Sequence, residues 1–516
     1  MITERLAELV RRALEDALPD AEGLGAPVFE RPRHRDHGDW STNIALAAAK
    51  GRGAPREIAG RIKEHLPPSD LLEKVDVAGP GFLNFYLSPR WLHEVIRSAA
   101  DPAARFGMAP PGSSGKRINV EYVSANPTGP INVVSGRHAA VGDAISNLLE
   151  ATGHTVSREF YINDAGRQIE LFAESIGVRY LQHFDRQADL SDDGYQGDYL
   201  KDIAAAIAAE VGDRYVDTDA ATRNQAMREH GLTQMLHEMS ATLTRFGTEY
   251  DVWFSEKSLH ETDKVSAAIS QLQDAGLIEA RDGALEFLSS RFGDDKDRVV
   301  IRSNGDPTYL ASDLPYLQNK FERSFDHLIY LWGADHHGTV ARLLAGAEAL
   351  GLNRDAVEVR LIQIVSLLSD GKAVKASKRA GAIVRLDELL DDVGVDAARY
   401  IFLSRSYDGP LEFDLALAKE QAPENPVYYV QYAHARICSI LRKAEAEGIK
   451  IDVASAPLHL LIHPAEDALM RKLASYEEVV PEAAGSRAPQ RIARYIEESA
   501  SDFSSFYRDC KVIGDD

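Results

Sequence analysis

The pattern that most restricts the fold is a strand, a loop, a helix and a second strand, which occur in that order twice. The first copy runs from Ile118 to Tyr161, and the second runs from His327 to Leu368, with its last strand over 357–368. Strands connected through a helix lie parallel in one sheet, so the two copies predict a parallel α/β sheet. Loops beyond the carboxyl ends of such strands gather at one edge, where ligands bind.

Three domains are expected, since 516 residues correspond to about three domains of ordinary size. Helical spacing from Ile2 to Leu18 and two short strands around Gly79-Pro80-Gly81 predict a small α+β domain over 1–108. Residues 109–384 hold the parallel sheet, with a mostly helical, acidic insertion over 165–290. From 385 to 516 the apolar spacing is helical, which predicts an all-α bundle.

Charge restricts the partners. The chain has 58 Lys and Arg against 80 Asp and Glu, for a net charge of −22. Uniform negative charge repels phosphate, so the total argues against a general nucleic-acid binder. Residues 1–110 differ, because they hold 15 basic and 16 acidic side chains and include the basic cluster Arg31–Arg35. Any RNA would therefore be held by local basic patches, and non-specific binding would be weak and would fade with salt.

Residue types exclude further classes. The two cysteines, Cys438 and Cys510, allow no disulfide framework and no cysteine-only metal cluster. The sequence has no run of about 18 apolar residues of the kind that spans a membrane, and its first residues lack a signal-peptide stretch. A soluble enzyme of the cytoplasm, without a membrane partner, is the expectation.

The loop after the first strand supplies one set of candidate residues. Glu121 ends the strand, Asn126 lies in the loop, and Asn132 and Ser135 lie where the next helix begins. A helix N-terminus binds anions through free N–H groups and its dipole, and Glu121 can bind a cationic group. The alternative is structural, with Ser135 as an ordinary N-cap and Glu121 as a solvated strand end.

A basic loop from Asp370 to Gly381 supplies a second set. Its lysines lie between two glycines, which suits a polyphosphate, although a solvated charged turn is the alternative. Tyr309 and Asp313 are four residues apart and share a face if that stretch is helical. Together with Glu121 they would form an acidic, aromatic-edged pocket for a guanidinium group, against the alternative of a packed tyrosine and a surface aspartate.

Adjacent histidines follow the second strand, in Asp335-His336-His337. A metal site needs a third and a fourth ligand, and no helical histidine pair of the usual spacing accompanies them. The sequence therefore favours a polar pocket or a structural role here, and no metal site is expected.

Seven segments carry a resemblance to a known family. In chain order they are Val120–Pro130, Phe160–Gln168, Tyr195–Tyr199, Tyr250–Glu256, Trp332–Gly338, Val393–Tyr400 and Asn425–Arg436. On these segments the chain resembles the class I aminoacyl-tRNA synthetases, and specifically the bacterial-type arginyl-tRNA synthetases. The resemblance extends over residues from about 30 to 510.

The resemblance implies a fold and a reaction. Residues 1–108 would be the family's N-terminal domain, which contacts the elbow of tRNA. Residues 109–384 would be its Rossmann-type catalytic domain, and residues 385–516 its anticodon-binding bundle. The family joins L-arginine to ATP, which gives arginyl-adenylate, and passes the arginyl group to the terminal adenosine of tRNA(Arg), generally with tRNA needed for the first step. ATP with Mg²⁺ is then a substrate, and no tightly bound cofactor is implied.

The same resemblance implies site residues. Those that match arginine-binding positions are Glu121, Asn126, Tyr309 and Asp313, with Asp335 at a further pocket position. Those that match catalytic positions are Asn132, Ser135, Lys375, Ser377 and Lys378, and those that match ATP-binding positions are Val134, Gly136, Lys375 and Lys378.

One signature departs from the family pattern. The HIGH motif, normally His-Val-Gly-His in this family, is replaced by Asn132-Val133-Val134-Ser135. The missing imidazoles donate to the ATP phosphates as charge develops, and the loss of one such donor costs about 2.7–4 kcal/mol. Val134 adds a β-branched side chain where the family's glycine lets the adenine ring approach the backbone. Both lysines of the second signature, KMSK, remain in Lys375-Ala376-Ser377-Lys378.

The sequence stops at Asp516, whereas family members usually continue with one more long helix that closes the bundle. A monomer is expected unless a partner covers the apolar face that would be exposed. Two functions remain open at this point. The first is an arginine–tRNA ligase that tolerates the altered signature. The second is a paralogue with lost or weakened adenylation that binds arginine, a nucleotide, tRNA or a tRNA-like RNA, or serves a secondary pathway.

Overall fold

A computed structural model describes residues 2–20, 23–369, 372–373 and 384–514. The chain forms two compact units. The first combines residues 1–108 with 433–479 and 498–516, and the second combines residues 109–432 with 480–497.

The N-terminal part of the first unit mixes helices with a small sheet. Its elements are α1 (Ile2–Ala17), β1 (Phe29–Glu30), β2 (Trp40–Thr42), α2 (Ile44–Ala48), α3 (Pro55–Glu64), β3 (Leu72–Ala78), β4 (Phe82–Leu87) and α4 (Pro89–Ala100). The strands form an antiparallel sheet of order β1-β2-β4-β3. The predicted first helix and the hairpin around Gly79-Pro80-Gly81 are therefore confirmed. Gly81 has a φ of 144°, and a Cβ there would lie 2.8 Å from the Pro55 carbonyl oxygen, so this turn needs glycine.

The second unit contains the predicted parallel sheet. Its elements up to the basic loop are β5 (Arg117–Glu121), α5 (Val133–Ala151), β6 (Thr155–Ile162), α6 (Arg167–His183), α7 (Tyr199–Val211), α8 (Ala220–Arg245), β7 (Val252–Ser255), α9 (Lys257–Glu261), α10 (Lys264–Asp274), β8 (Ile278–Arg281), β9 (Ala284–Phe287), β10 (Arg298–Ile301), α11 (Tyr309–Glu322), β11 (His327–Gly333), α12 (His337–Ala349), β12 (Val357–Ile362), β13 (Val365–Ser369) and β14 (Lys372–Ala373). Five strands form a parallel sheet of order β12-β11-β5-β6-β7.

The C-terminal part of the chain is helical apart from one strand. Its elements are α13 (Leu386–Val393), α14 (Val395–Leu403), β15 (Leu411–Asp414), α15 (Leu415–Lys419), α16 (Pro426–Ala446), α17 (Pro464–Ala474), α18 (Tyr476–Ser486) and α19 (Gln490–Asp509). Helix α17 contributes Met470 and Ala474 to the apolar core formed by α1, α3, α4 and the N-terminal sheet, all within the first unit. Within the described ranges, no helix has the length and apolar character needed to cross a membrane.

The strand predicted over 357–368 is wrong as a single element. β12 belongs to the five-stranded sheet, whereas β13 pairs with β15 and β14 in a separate sheet. The break falls at Gln363, whose N–H donates to the Tyr407 carbonyl at 2.8 Å and whose carbonyl accepts from the Arg137 guanidinium at 2.8 Å. These partners replace the ladder partners of the first sheet, so the backbone changes sheets there.

Strand β5 is buried on both faces, although its sequence alternates. Ile118 and Val120 lie in one apolar cluster, and Asn119 and Glu121, at the alternate positions, are 0% and 5% exposed. A central strand of a parallel sheet is covered by helices on both sides, so its polar positions cannot face water. Asn119 and Glu121 instead meet polar side chains beneath α11, and this arrangement builds the candidate site.

Candidate active site

A row of polar side chains crosses the centre of the parallel sheet. Glu121 of β5 is the register partner of Glu159 on β6 and of Tyr330 on β11, so the three side chains lie next to each other on one face. All three are at least nine-tenths buried. Helix α11 supplies hydrogen-bond donors to two members of this row, from Lys320 to Glu121 and from Tyr316 to Glu159.

Glu121 is held from two sides. Its Oε2 accepts a hydrogen bond from Lys320 Nζ at 2.6 Å, and its Oε1 accepts one from Ser124 Oγ at 3.2 Å. Lys320 is fully buried. Ser124 reaches back because Val123 and Ser124 have φ angles of 69° and 44°, a left-handed conformation that is uncommon for a β-branched residue. Strain of this kind is concentrated at functional sites.

Two further carboxylates lie near Glu121. Asp313 is on α11 and Glu256 directly follows β7. Burial, together with the negative charges of Glu121 and Glu256, raises the pKa of Asp313 to about 7, against a smaller lowering by Arg342. We call Glu121, Glu256 and Asp313 the acidic cluster. Its members repel each other, so it is arranged to receive a cation.

Several hydrogen-bonding groups surround the Glu256 carboxylate. Burial raises its pKa, while Ser312, His260 and Tyr161 act in the opposite direction through hydrogen bonds and charge. His260 Nε2 lies 3.7 Å from Glu256 Oε1, and the Asn163 side-chain amide can donate to Glu256 Oε2 at 2.9 Å. These neighbours fix the carboxylate at the carboxyl edge of the sheet.

The predicted arginine-binding residues are only partly brought together. Glu121 and Asp313 interact electrostatically in the acidic cluster. Tyr309 is the first residue of α11, one turn before Asp313, and is 64% exposed. Asn126 is exposed in the loop after β5 and donates to the Gln168 side chain at 2.6 Å. Asp335 is exposed in the short turn after β11.

Sequence reasoning singled out neither Glu256 nor Lys320. A signal for Lys320 existed, since Tyr309, Asp313, Tyr316 and Lys320 are spaced by four, three and four residues, which is one helix face. Glu256 is the last residue of the segment Tyr250–Glu256, which carries part of the family resemblance. It directly follows an apolar strand, and this is the position where loops of a parallel sheet carry ligand-binding groups.

The second part of the site is the N-terminus of α5. Asn132 is its N-cap, and its Oδ1 accepts from the Ser135 N–H at 2.9 Å. The structural alternative that made Ser135 the N-cap is therefore wrong. Ser135 is the third helical residue, because the helix begins three positions earlier than a cap at Ser135 would require. Val134, the second helical residue, is 39% exposed.

Gly136 lies on the buried side of the same turn. A Cβ at this position would lie 2.7 Å from Leu386 Cδ1 and 3.4 Å from Phe402 Cε2, so the glycine lets α5 approach α13 and α14 closely. The turn thus presents Val134 and the side-chain groups of Asn132 and Ser135 outward, while Gly136 packs inward.

Three predicted residues, Lys375, Ser377 and Lys378, lie outside the described residues. Lys372 and Ala373, which precede them in the chain, form β14, and this strand pairs with β13. Among the residues that the structure describes, no group of three or more histidine, cysteine, aspartate or glutamate side chains is arranged to hold a metal ion.

The basic cluster Arg31–Arg35 lies in the first unit. The Arg31 guanidinium lies 4.5 Å from the centre of the Trp40 ring and pairs with Glu478 at 2.7 Å. Arg33 is exposed. Arg31 is thus held by protein groups, whereas Arg33 is accessible to a partner.

Three family models match the chain. They are the Arginyl tRNA synthetase N terminal domain over residues 4–87, the tRNA synthetases class I (R) catalytic domain over 108–406, and the DALR anticodon binding domain over 430–516.

Named relatives match over nearly the whole chain. An arginine–tRNA ligase of Moorella thermoacetica is 47% identical over 97% of this chain and 89% of its own length. One of Carboxydothermus hydrogenoformans is 44% identical over 99% of this chain and 92% of its own. The arginyl-tRNA synthetase structure of Thermus thermophilus superposes with a TM-score of 0.75 at 23% identity, over 99% of this chain and 92% of that one, and so shows the same fold.

Proposed function

The chain belongs to the class I arginyl-tRNA synthetases and is an arginine–tRNA ligase, and we propose that its acidic cluster is the pocket that holds the arginine guanidinium. The observation that supports this most is the position of Asp313 on α11, where its carboxyl interacts with the buried carboxylates of Glu121 and Glu256. Three buried or half-buried carboxylates with one internal lysine leave an excess of negative charge, and a planar guanidinium can pair with two carboxylates at once.

The other predicted residues act around that pocket. We propose that Tyr309 covers the guanidinium from the start of α11, and that Asn126 and Asp335 bind the α-amino and carboxylate end of arginine from the loops after β5 and β11. Both loops lie at the carboxyl edge of the sheet, which supports this assignment. Tyr309 is 64% exposed, so in this role its side chain has to move onto the substrate.

ATP binds, in this proposal, at the N-terminus of α5. The arginine carboxylate attacks the α-phosphorus and pyrophosphate leaves; a terminal hydroxyl of tRNA then attacks the arginyl carbonyl of the adenylate, takes the arginyl group and releases AMP. Asn132 and Ser135 donate hydrogen bonds to the phosphates, and Lys375 and Lys378 supply positive charge from the basic loop, with Ser377 between them. Mg²⁺ would enter with ATP, because this ion is usually bound through substrate phosphates and a few carboxylates and keeps several waters.

The capping geometry limits what Asn132 can do. Its oxygen is engaged by the Ser135 N–H, so its amide N–H₂ is the group left to donate to a phosphate. Neither that amide nor the Ser135 hydroxyl carries a positive charge, and each replaced donor is worth about 2.7–4 kcal/mol. Two such losses would slow adenylation more than about a thousandfold if they were additive, and by less if the residues act as a unit.

This altered turn is the observation that favours a second candidate, an arginine-, nucleotide- or tRNA-binding paralogue. The deciding assay is arginine-dependent ATP–pyrophosphate exchange with tRNA present. The natural chain is compared with the triple variant Asn132→His, Val134→Gly, Ser135→His. Slow exchange that accelerates in the triple variant supports the ligase. Exchange by the triple variant alone, with none from the natural chain, supports the binding protein.

Partners and location follow from the family and the surface. We propose that tRNA(Arg) is held through local patches such as Arg33, since the net charge of −22 opposes a general attraction. The chain acts as a monomer in the cytoplasm in this proposal. Sedimentation of the purified protein with and without tRNA tests the monomer, and a salt titration of tRNA binding tests the local patches.

A further inference from the structure

Lys320 is a buried cation that the substrate-binding residues do not include. Its ammonium lies 2.6 Å from Glu121 Oε2, and the ring centres of Tyr316 and Tyr330 lie 4.5 and 4.0 Å away. The side chain is fully buried. Lys320 is therefore fixed beneath the acidic cluster.

Glu159, the other carboxylate in the polar row, has its own partners. It accepts hydrogen bonds from Arg323 at 2.7 and 2.9 Å, from the Tyr316 hydroxyl at 2.6 Å, and from the Asn119 amide at 2.8 Å. Burial acts to raise the pKa of Glu159, but Lys320, Arg323 and Tyr316 outweigh it and lower the pKa. The positive charge of Lys320 helps to lower the pKa of Glu159, whereas the Lys320 ammonium donates its hydrogen bond to Glu121.

The two oxygens of Glu121 are thus used differently. Oε2 faces Lys320 on the α11 side, and Oε1 has the Ser124 hydroxyl at 3.2 Å as its neighbour. A carboxylate oxygen can accept two hydrogen bonds. The arrangement leaves Oε1 able to accept from an incoming N–H donor while Oε2 stays engaged.

We propose that Lys320 is a positioning residue for arginine recognition: it holds Glu121 as a charged carboxylate and turns Oε1 towards the guanidinium. This inference rests on the proposed arginine pocket. Without the ammonium, Glu121 would be a buried carboxylate next to Glu159, Glu256 and Asp313, and such a group takes up a proton. Arginine would then have to displace a proton from Glu121 as well as from Asp313.

The quantity that tests this is the number of protons released when arginine binds. Isothermal titration at pH 6, in buffers of different ionisation enthalpy, gives this number directly. The wild-type protein is expected to release about one proton, from Asp313. Lys320→Gln, which can still donate a hydrogen bond but carries no charge, is expected to release close to two and to bind arginine at least tenfold more weakly.

Other titratable and charged groups surround the pocket and have to be considered. They are Glu159 and Tyr161 on β6, Glu256 and His260 after β7, Asp313, Tyr316 and Arg323 around α11, Tyr330 on β11, Asp335 after it, and Arg342 on α12. The double variant Lys320→Gln, Glu121→Gln distinguishes a proton released by Glu121 from one released by any of these groups. It should release about one proton again, and a release of two would overturn the assignment to Glu121.

Two variants guard against a structural explanation. Lys320→Arg keeps the charge and should keep a release of about one proton, even if its larger group weakens binding. Lys264→Met is a matched control, because Lys264 pairs with Glu322 at 3.0 Å on the protein surface. It should behave as wild type, and thermal unfolding of every variant checks that it is folded.

The outcomes separate the two proposals. If Glu121→Gln leaves arginine binding unchanged, the proposed pocket is wrong, and the role of Lys320 fails with it. If Glu121→Gln weakens arginine binding but Lys320→Gln releases one proton, the pocket stands and the role of Lys320 is overturned. A release of two protons by Lys320→Arg would overturn it as well.

Discussion

Lowering the pH from 8 to 6 is expected to weaken arginine binding about tenfold, because Asp313 has to lose a proton before it pairs with a guanidinium. Burial, together with the charges of Glu121 and Glu256, holds the pKa of this carboxyl at about 7. At that pKa about nine-tenths of the molecules are protonated at pH 6, and about one-tenth at pH 8.

The sign follows from proton linkage. The guanidinium favours the charged carboxylate, so the arginine-bound protein holds fewer protons than the free protein. Affinity therefore rises with pH through the pKa of Asp313 and becomes constant above about pH 8. The arginine side chain does not itself contribute to this pH dependence, because a guanidinium stays protonated throughout this range.

The assay is arginine titration by calorimetry between pH 5.5 and 8.5, without ATP or tRNA. Asp313→Asn should lose the pH dependence and bind about ten- to a hundredfold more weakly at pH 8, because a hydrogen bond to a charged group is replaced by a neutral one. His260→Gln is the control, since protonation of the imidazole beside Glu256 would weaken cation binding in the same direction.

A flat profile in the wild-type protein would contradict the role of Asp313. A tenfold change that persists in Asp313→Asn would contradict it as well. A profile that disappears in His260→Gln but persists in Asp313→Asn would assign the proton to the histidine instead.

Four further changes test other parts of the structure. Glu256→Gln removes one of the charges that raise the pKa of Asp313, so the midpoint of the arginine–pH profile should move to lower pH; an unmoved midpoint would contradict the cluster. Without arginine, Asp313→Asn should raise the Tm at pH 8, because the wild-type protein loses stability as the pH rises from the ordinary carboxyl pKa of 3.8 to about 7; equal Tm values would count against this. Asn132→Ala should lower the free energy of unfolding by about 1 kcal/mol through loss of the N-cap, measured by denaturant titration. Gly136→Ala should cost about 1–3 kcal/mol in the same measurement, because its Cβ would lie 2.7 Å from Leu386 Cδ1, and a neutral result would show that Leu386 can move aside.

The central sheet could be predicted because long apolar strands alternate with helices in the sequence. The break at Gln363 could not, since it depends on hydrogen bonds from Arg137 and Tyr407, which are distant in sequence. The burial of the polar residues in β5 could not be predicted either, since the sequence also allowed Glu121 to be a solvated strand end. Asn119 and Glu121 are both buried, and their partners are Glu159 on β6 and Lys320 on α11.

The candidate site shows the same division. Glu121 and Asp313 could be identified from the sequence, because a family resemblance and helical spacing both point to them. The raised pKa of Asp313 could not, because it depends on burial in the fold and on the charges of Glu121 and Glu256, which lie far from Asp313 in the chain. The cap at α5 depended on which side chain reaches an N–H group, and Asn132 and Ser135 are both chemically suited to that role.

The acidic cluster favours arginine binding, whereas the altered turn at α5 favours weakened adenylation. The energetics of the two features explain why both can occur in a ligase. Burial, together with the charges of Glu121 and Glu256, raises the pKa of Asp313, so the charged form of this carboxyl destabilises the fold, and a chain with no cationic ligand would be more stable with a neutral side chain there. The cluster thus lowers the stability of the fold, and arginine binding offsets this loss.

The α5 turn acts at a later step, since in the proposed function Asn132 and Ser135 face the nucleotide and contribute mainly when charge develops on its phosphates. Neutral donors there slow adenylation while leaving the recognition of arginine intact, so a variant that restores the two imidazoles should change the rate of exchange much more than the affinity for arginine. An equal effect on both quantities would show that the turn helps to hold arginine, and the separation of the two regions would be wrong.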